Sequence, residues 1–155
     1  MAFLGSYRHQ IDGKGRIAVP AQFRRGLPPG SVIAHGLEAR LVIRPPEEWA
    51  ALERDYRLTA ETPEEERKFL RTMYASAREV ELDSQGRLLL DAGHRSWAHI
   101  KERAFFVGLG SSVEVIGEEV WDEEYASMDQ KAFTTLSDRV TARAAAARAA
   151  GQPTA

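Results

Sequence analysis

The chain repeats itself, and that repeat narrows the folds open to it more than any other feature. Asp12-Gly-Lys-Gly-Arg16-Ile-Ala-Val stands 71 positions ahead of Asp83-Ser-Gln-Gly-Arg87-Leu-Leu-Leu. Further on, Gly36-Leu-Glu-Ala-Arg-Leu-Val-Ile with Pro-Pro-Glu-Glu-Trp49 matches Gly108-Leu-Gly-Ser-Ser-Val-Glu-Val with Ile-Gly-Glu-Glu-Val-Trp121 at an offset of 72. Phe3 likewise stands opposite Tyr74. Self-similarity of this kind marks one structural unit used twice. The expected organisation is a first repeat over residues 3–50, a linker helix over 51–73, a second repeat over 74–122, and a C-terminal helix and tail over 123–155.

Each unit carries the same local signals. Residues 7–11 and 78–82 carry β-branched or aromatic residues in short alternation, which suggests strands. The Asp-x-x-Gly that follows has turn chemistry: Asp bonds forward to the backbone, and Gly accepts positive φ. Residues 16–19 and 87–90 then return as the second strand of a hairpin. Pro20 ends the first of these, and residues 21–26 read as one helical turn. Strand pairs are expected for 31–35 with 41–44, and for 104–107 with 113–116. Acidic helices follow over 46–56 and 118–128, with Trp49 and Trp121 expected to anchor them in the core. In the linker, Thr62-Pro-Glu-Glu65 reads as a capping box. It precedes a helical face of Phe69, Leu70, Met73, Tyr74 and Ala77. Residues 136–150 hold seven alanines but a thin apolar face, so a peripheral or frayed helix is expected there.

A four-stranded unit cannot bury both sheet faces and leaves edges open. Two such units solve this by interlocking into one barrel with pseudo-twofold symmetry. The fold class expected is therefore mainly β with helices (α+β). The 155 residues, 43% apolar and 28% charged, suffice for a real core without staples. There is no cysteine, which excludes disulfides, thiolate metal sites and thiol nucleophiles. No apolar run approaches the roughly 18 residues of a membrane span, and no signal peptide is expected, so the expected location is cytoplasmic.

Net charge is −2, but its distribution matters more. Residues 1–25 carry five cations against one anion, whereas 45–70 carry eight anions against four cations, and 104–133 seven against one. Such a basic end makes a directional patch, because distant charges are screened beyond about 10 Å. Enzyme signatures are missing. The paired aspartates lie in Asp-Gly-Lys and Asp-Ser-Gln, not the Asp-Thr/Ser-Gly of aspartic proteases. His9, His35, His94 and His99 are not spaced for metal. Gly108-Leu-Gly-Ser-Ser-Val lacks the third glycine of a dinucleotide loop. Neither a cofactor nor a metal is expected.

The segment Arg8-His-Gln-Ile-Asp-Gly-Lys-Gly-Arg-Ile-Ala-Val-Pro-Ala-Gln-Phe-Arg-Arg25 resembles the hairpin of AbrB-type transition-state regulators and related antitoxin DNA-binding halves. The duplicated form, with Asp-x-x-Gly-Arg twice and a start of Met-x-Phe-x-Gly, resembles the MraZ family of bacterial regulators. This resemblance covers residues 1–137. It implies two swapped-hairpin AbrB-like halves forming one double-psi-type barrel. It also implies ring-shaped homo-oligomers, bound to short direct repeats in their own promoter. They would act mainly as repressors of the division and cell-wall gene cluster, in association with the nucleoid.

The residues themselves agree with duplex DNA as partner. A two-stranded ribbon fits a major groove, and cations on it reach phosphates. Arg8 and Arg16 flank the hairpin, Lys14 sits in its turn, and Arg24 and Arg25 close the helical turn behind. Gly13 and Gly15 allow close backbone approach. Asp12, Gly15, Asp83, Gly86 and Arg87 are read as turn residues, with Arg16 and Arg87 also available to pair with an aspartate across the barrel. In the second copy Gln85 replaces Lys14, and Arg95-Ser96 replaces Arg24-Arg25. The first copy thus reads as the DNA reader and the second as its scaffold. The alternative is a non-enzymatic protein-binding module that uses its acidic helices.

Overall fold

A computed structural model describes residues 2–151. The elements run β1 (Ser6–Gln10), β2 (Arg16–Ala18), α1 (Ala21–Arg24), β3 (Val32–His35), β4 (Leu41–Arg44), α2 (Pro46–Asp55) and α3 (Glu64–Ser76). The second half gives β5 (Arg78–Glu79), β6 (Arg87–Leu89), α4 (Ala92–Trp97), β7 (Arg103–Gly108), β8 (Val113–Gly117), α5 (Glu118–Ser127) and α6 (Gln130–Ala149). Two compact units result, one ending at Val120 and one starting at Trp121.

In the first unit a six-stranded sheet has the order β1-β7-β8-β4-β3-β5, and β2 pairs with β6 in a separate ribbon. All pairs are antiparallel. The order is palindromic in the repeat. Each copy's first strand lies on the other copy's third, and the two fourth strands meet at the centre. This is the swapped arrangement, and it corrects one expectation. Residues 7–11 and 16–19 do not pair as a hairpin ladder; they touch at a single bridge, Ile11 to Ile17. The reason is that β7 offers β1 a full register, from Ser6 opposite Val107 to Gln10 opposite Arg103. Across the pseudo-twofold, Leu82 bridges Leu88 in the same way. These bridges connect the ribbon to the sheet.

The core lies between them. Ala104 and Phe106 of β7, Leu41 and Ile43 of β4, and Val113 and Val115 of β8 share one buried cluster with Ile17 and Leu88 of the ribbon. Burying a side chain of this size contributes roughly 1.5–3 kcal/mol. Phe23 of α1 closes one end, with ring-edge contacts to Phe3 at 5.7 Å and Tyr7 at 5.3 Å.

The helices depart from expectation in three places. Neither α2 nor α5 buries a residue. Trp49 is half-buried and meets Tyr74 edge-on at 5.8 Å instead of entering the core. Trp121 is also half-buried. The stretch read as one linker helix holds the end of α2, a connection and α3, of which Leu70, Met73 and Ser76 are buried while Phe69 and Tyr74 are exposed. No capping box forms: Thr62 Oγ1 accepts from the Thr59 N–H at 3.0 Å, and Pro63 precedes α3 as its N-cap with no side-chain bond. The second unit contains α6, an unbroken helix of 20 residues with none buried. Asp129 caps it by accepting from the Ala132 N–H at 2.8 Å. No helix among the described residues is long and apolar enough to cross a membrane.

Candidate nucleic-acid interface

Both Asp-x-x-Gly-Arg segments fold into the same turn. Asp12 Oδ1 accepts from the backbone N–H groups of Lys14 and Arg16, each at 2.9 Å, and Oδ2 accepts from Arg16 Nε at 2.8 Å. Asp83 does the same with Gln85, Arg87 and Arg87 Nε at 2.9, 2.9 and 2.8 Å. Gly15 and Gly86 donate back to the two aspartate carbonyls, at φ of +83° and +74°. A side chain resists that region, which is why glycine stands there. The carboxylates respond to their donors. The Arg16 backbone N–H, helped by Lys14 and the Arg16 guanidinium, holds the Asp12 carboxyl down at about 2. The Arg87 backbone N–H lowers Asp83 in the same sense.

A folded-state pKa below the unfolded one adds stability above the unfolded value, which is lost as pH falls through the folded one. The Asp12 turn is therefore expected to loosen between about pH 4 and about pH 2. Carbon-detected NMR titration of the Asp12 carboxyl checks this. A midpoint near 4 would show that the turn bonds do not persist in solution.

The ribbon sets these turns at opposite ends. Arg16 lies opposite Leu89 and Ala18 opposite Arg87. These four alternate with the buried Ile17 and Leu88, so they form the outer face. Arg87 Nη1 also reaches Asp12 Oδ2 at 3.6 Å, which joins the two copies by a charge contact of the kind expected across the barrel. The structure thus gathers Asp12, Lys14, Arg16, Asp83 and Arg87 into one charged strip. Lys14 stands exposed in its turn and makes no ion pair among the described residues.

The other candidates lie apart from it. Arg8 projects from β1 and pairs with Glu118 at 3.1 Å. Glu118 is also held by Arg103 at 2.7 Å. Arg25 is exposed beside Phe3, Pro28 and the start of α2. Arg24 lies over Gly86, in the turn of the other copy.

That last placement exposes a residue the sequence did not single out. Arg95, the repeat equivalent of Arg24, lies over Gly15 and donates through Nη1 to the Leu90 carbonyl at 3.0 Å. Each copy thus covers the other's turn with an arginine. The signal was present in the 71-residue offset that aligns Arg24 with Arg95. Gly15 is accordingly closed off, whereas a Cβ at Gly13 would meet nothing. Gly15→Ala, on a φ of +83° with its methyl 2.9 Å from the Leu90 carbonyl oxygen and against the Arg95 guanidinium, is expected to cost about 1–3 kcal/mol. Gly13→Ala should be nearly neutral. Urea melts of the two variants check the contrast, and equal midpoints would contradict it.

Two interlocked copies of one strand-swapped unit, each opening its ribbon strand on the same Asp-x-x-Gly-Arg turn, define a duplicated α+β protein. The family model described as "MraZ protein, putative antitoxin-like" matches residues 2–72 and again 73–144. A protein of Desulfitobacterium hafniense (strain Y51) is 38% identical over 136 residues, 88% of this chain and 94% of that one. One of Desulforamulus reducens is 35% identical over 138 residues, 89% and 96% of the two chains. One of Thermoanaerobacter sp. (strain X514) is 36% identical over 137 residues, 88% and 95%. All three are named transcriptional regulator MraZ. The chain belongs to the MraZ family.

Proposed function

We propose that this chain is a transcriptional regulator that binds duplex DNA through the β2–β6 ribbon and the Asp12–Arg16 turn. The observation that carries this reading is Lys14, exposed in its turn, beside Arg16 on the outer face of the two-stranded ribbon, a shape that enters a major groove. The names of the relatives support it. Arg8, Arg24 and Arg25 act at the edges of the footprint, as phosphate contacts that position without reading sequence. The second repeat serves as scaffold, since Gln85 and Ser96 stand where the first has Lys14 and Arg25.

A few phosphate contacts give only weak binding, so several copies must act together. We infer a ring-shaped homo-oligomer in the cytoplasm, associated with the nucleoid, that represses its own division and cell-wall cluster. A ring repeats one orientation, so its operator carries direct repeats. Linked sites gain roughly 10²–10⁴ in affinity. The test is fluorescence anisotropy on DNA from upstream of the gene, with one repeat, two repeats, and two repeats separated by an added half helical turn of about 5 base pairs. Tight binding is expected for the intact pair alone. Equal binding to all three overturns the multivalent reading, and salt-independent or absent binding overturns the DNA reading.

A further inference from the structure

Away from the ribbon, the tip of the β3–β4 pair borders a cavity of about 390 Å³, within the usual range of small-molecule sites. Its apolar wall comes from Tyr56, Phe69, Met73 and Trp97, which three different helical segments bring together. Tyr56, Phe69 and Trp97 remain exposed although large and aromatic. Trp97 is held in place: its ring stacks on His35 at 4.4 Å, and Nε1 donates to the Gly36 carbonyl at 3.1 Å.

The polar part of the wall is incomplete. Three buried side-chain nitrogens lack a hydrogen-bond partner among the described residues, namely His35 Nδ1, Arg44 Nη1 and His94 Nδ1. His35 and Arg44 both line this cavity, and His94 meets the His35 ring edge-on at 5.7 Å. Unpartnered buried nitrogens are rare in folded proteins, and Arg44, all of whose nitrogens are donors, carries one on a residue that lines this cavity. Arg40 pairs with Glu38 at 3.6 Å and with Glu114 at 3.5 Å, two acids that line the cavity. Arg44 has no ion pair among the described residues, and its burial holds the guanidinium below its ordinary pKa, against the pull of Tyr56, Glu48 and Glu114.

We propose that this cavity binds a small amphipathic carboxylate, an aryl or short alkyl acid, with its carboxylate on Arg44 and its body against Trp97, Phe69 and Met73. A guanidinium fork matches the two oxygens of a carboxylate. The aromatic wall takes a ring or a short chain. Glu38 and Glu114 line the same space, so a phosphate dianion is repelled more strongly than a monocarboxylate.

The test uses the full-length chain labelled with 5-fluorotryptophan, so that Trp49, Trp97 and Trp121 report separately. Phenylacetate, phenylacetamide and phenyl phosphate are titrated in turn. A saturable shift of the Trp97 resonance is expected with phenylacetate, at least tenfold weaker with the amide and the phosphate. Arg44→Met should remove the preference for acid over amide. Phe69→Ala, at an exposed position that folding tolerates, should weaken both. Equal binding of acid and amide to the unaltered chain overturns the proposal, and so does no response at 10 mM, about the weakest affinity worth assigning to a site. A Trp97 signal that follows protein concentration and ignores all three probes would mean that a second copy fills the cavity, which overturns it too.

Discussion

Phe106→Ala is expected to cost about 3–5 kcal/mol, which for a chain of this size lowers Tm by roughly 6–20 °C. Phe106 is fully buried in β7, the strand that carries β1 of the other repeat. It lies opposite Tyr7 on one side and Val115 on the other, and its ring meets His9 edge-on at 6.0 Å. Its removal leaves a void at the junction of the two copies, where neither side can collapse without breaking the other's register. Phe133→Ala, on the exposed face of α6, should stay within about 0.5 kcal/mol of the parent. Denaturant melts followed by fluorescence and by circular dichroism give both numbers. If Phe106→Ala costs no more than Phe133→Ala, the shared core is misplaced.

Lys14→Glu is expected to weaken operator binding by tenfold or more, about 1.4 kcal/mol, and to reduce the salt slope by roughly 0.9. Lys14 has no ion pair among the described residues and stands on the turn proposed to read DNA, so its loss leaves the fold intact. The repeat supplies an internal control. Gln85→Lys recreates the same turn in the second copy and should change binding little if that copy is only scaffold. Arg16→Ala is likewise expected to abolish binding with Tm nearly unchanged. Arg87→Ala should instead harm stability or assembly, because Arg87 also reaches Asp12 of the other copy at 3.6 Å, a contact that Arg16 does not mirror among the described residues. Anisotropy at several salt concentrations, with melts alongside, separates these outcomes. Equal losses of binding for Arg16→Ala and Arg87→Ala at unchanged stability would abolish the division between reader and scaffold.

Strand positions were legible because alternation is a local property. The pairs at 31–35 with 41–44 and at 104–107 with 113–116 shift by no more than a residue at their ends. Partners were less legible, because β1 could equally have folded back on β2. What decides is that β7 supplies a longer apolar register from the far half of the chain, and no local signal reports it. The two tryptophans misled for the same reason. Their size argues for the core, yet neither α2 nor α5 buries a residue fully. At the candidate interface the turn was readable from Asp, Gly and Arg alone. Arg95 was legible only as the repeat counterpart of Arg24; its cover over Gly15 was not, because that glycine belongs to the other repeat.

The palindromic strand order also bears on how the chain is made. β1 leaves the ribosome first, but its ladder partner begins only at Arg103. At about 5–20 residues per second the wait lasts roughly 5–20 s. Throughout it, β1 and the free side of β4, whose partner β8 comes later still, are open edges, which are templates for pairing with another chain. On a polysome the nearest other chain is an identical one, further along the same message, offering the same β7 in the same register. Codons that slow translation between residues 11 and 103 lengthen that exposure, so synonymous changes in this stretch should alter the yield of correctly paired protein without changing one amino acid.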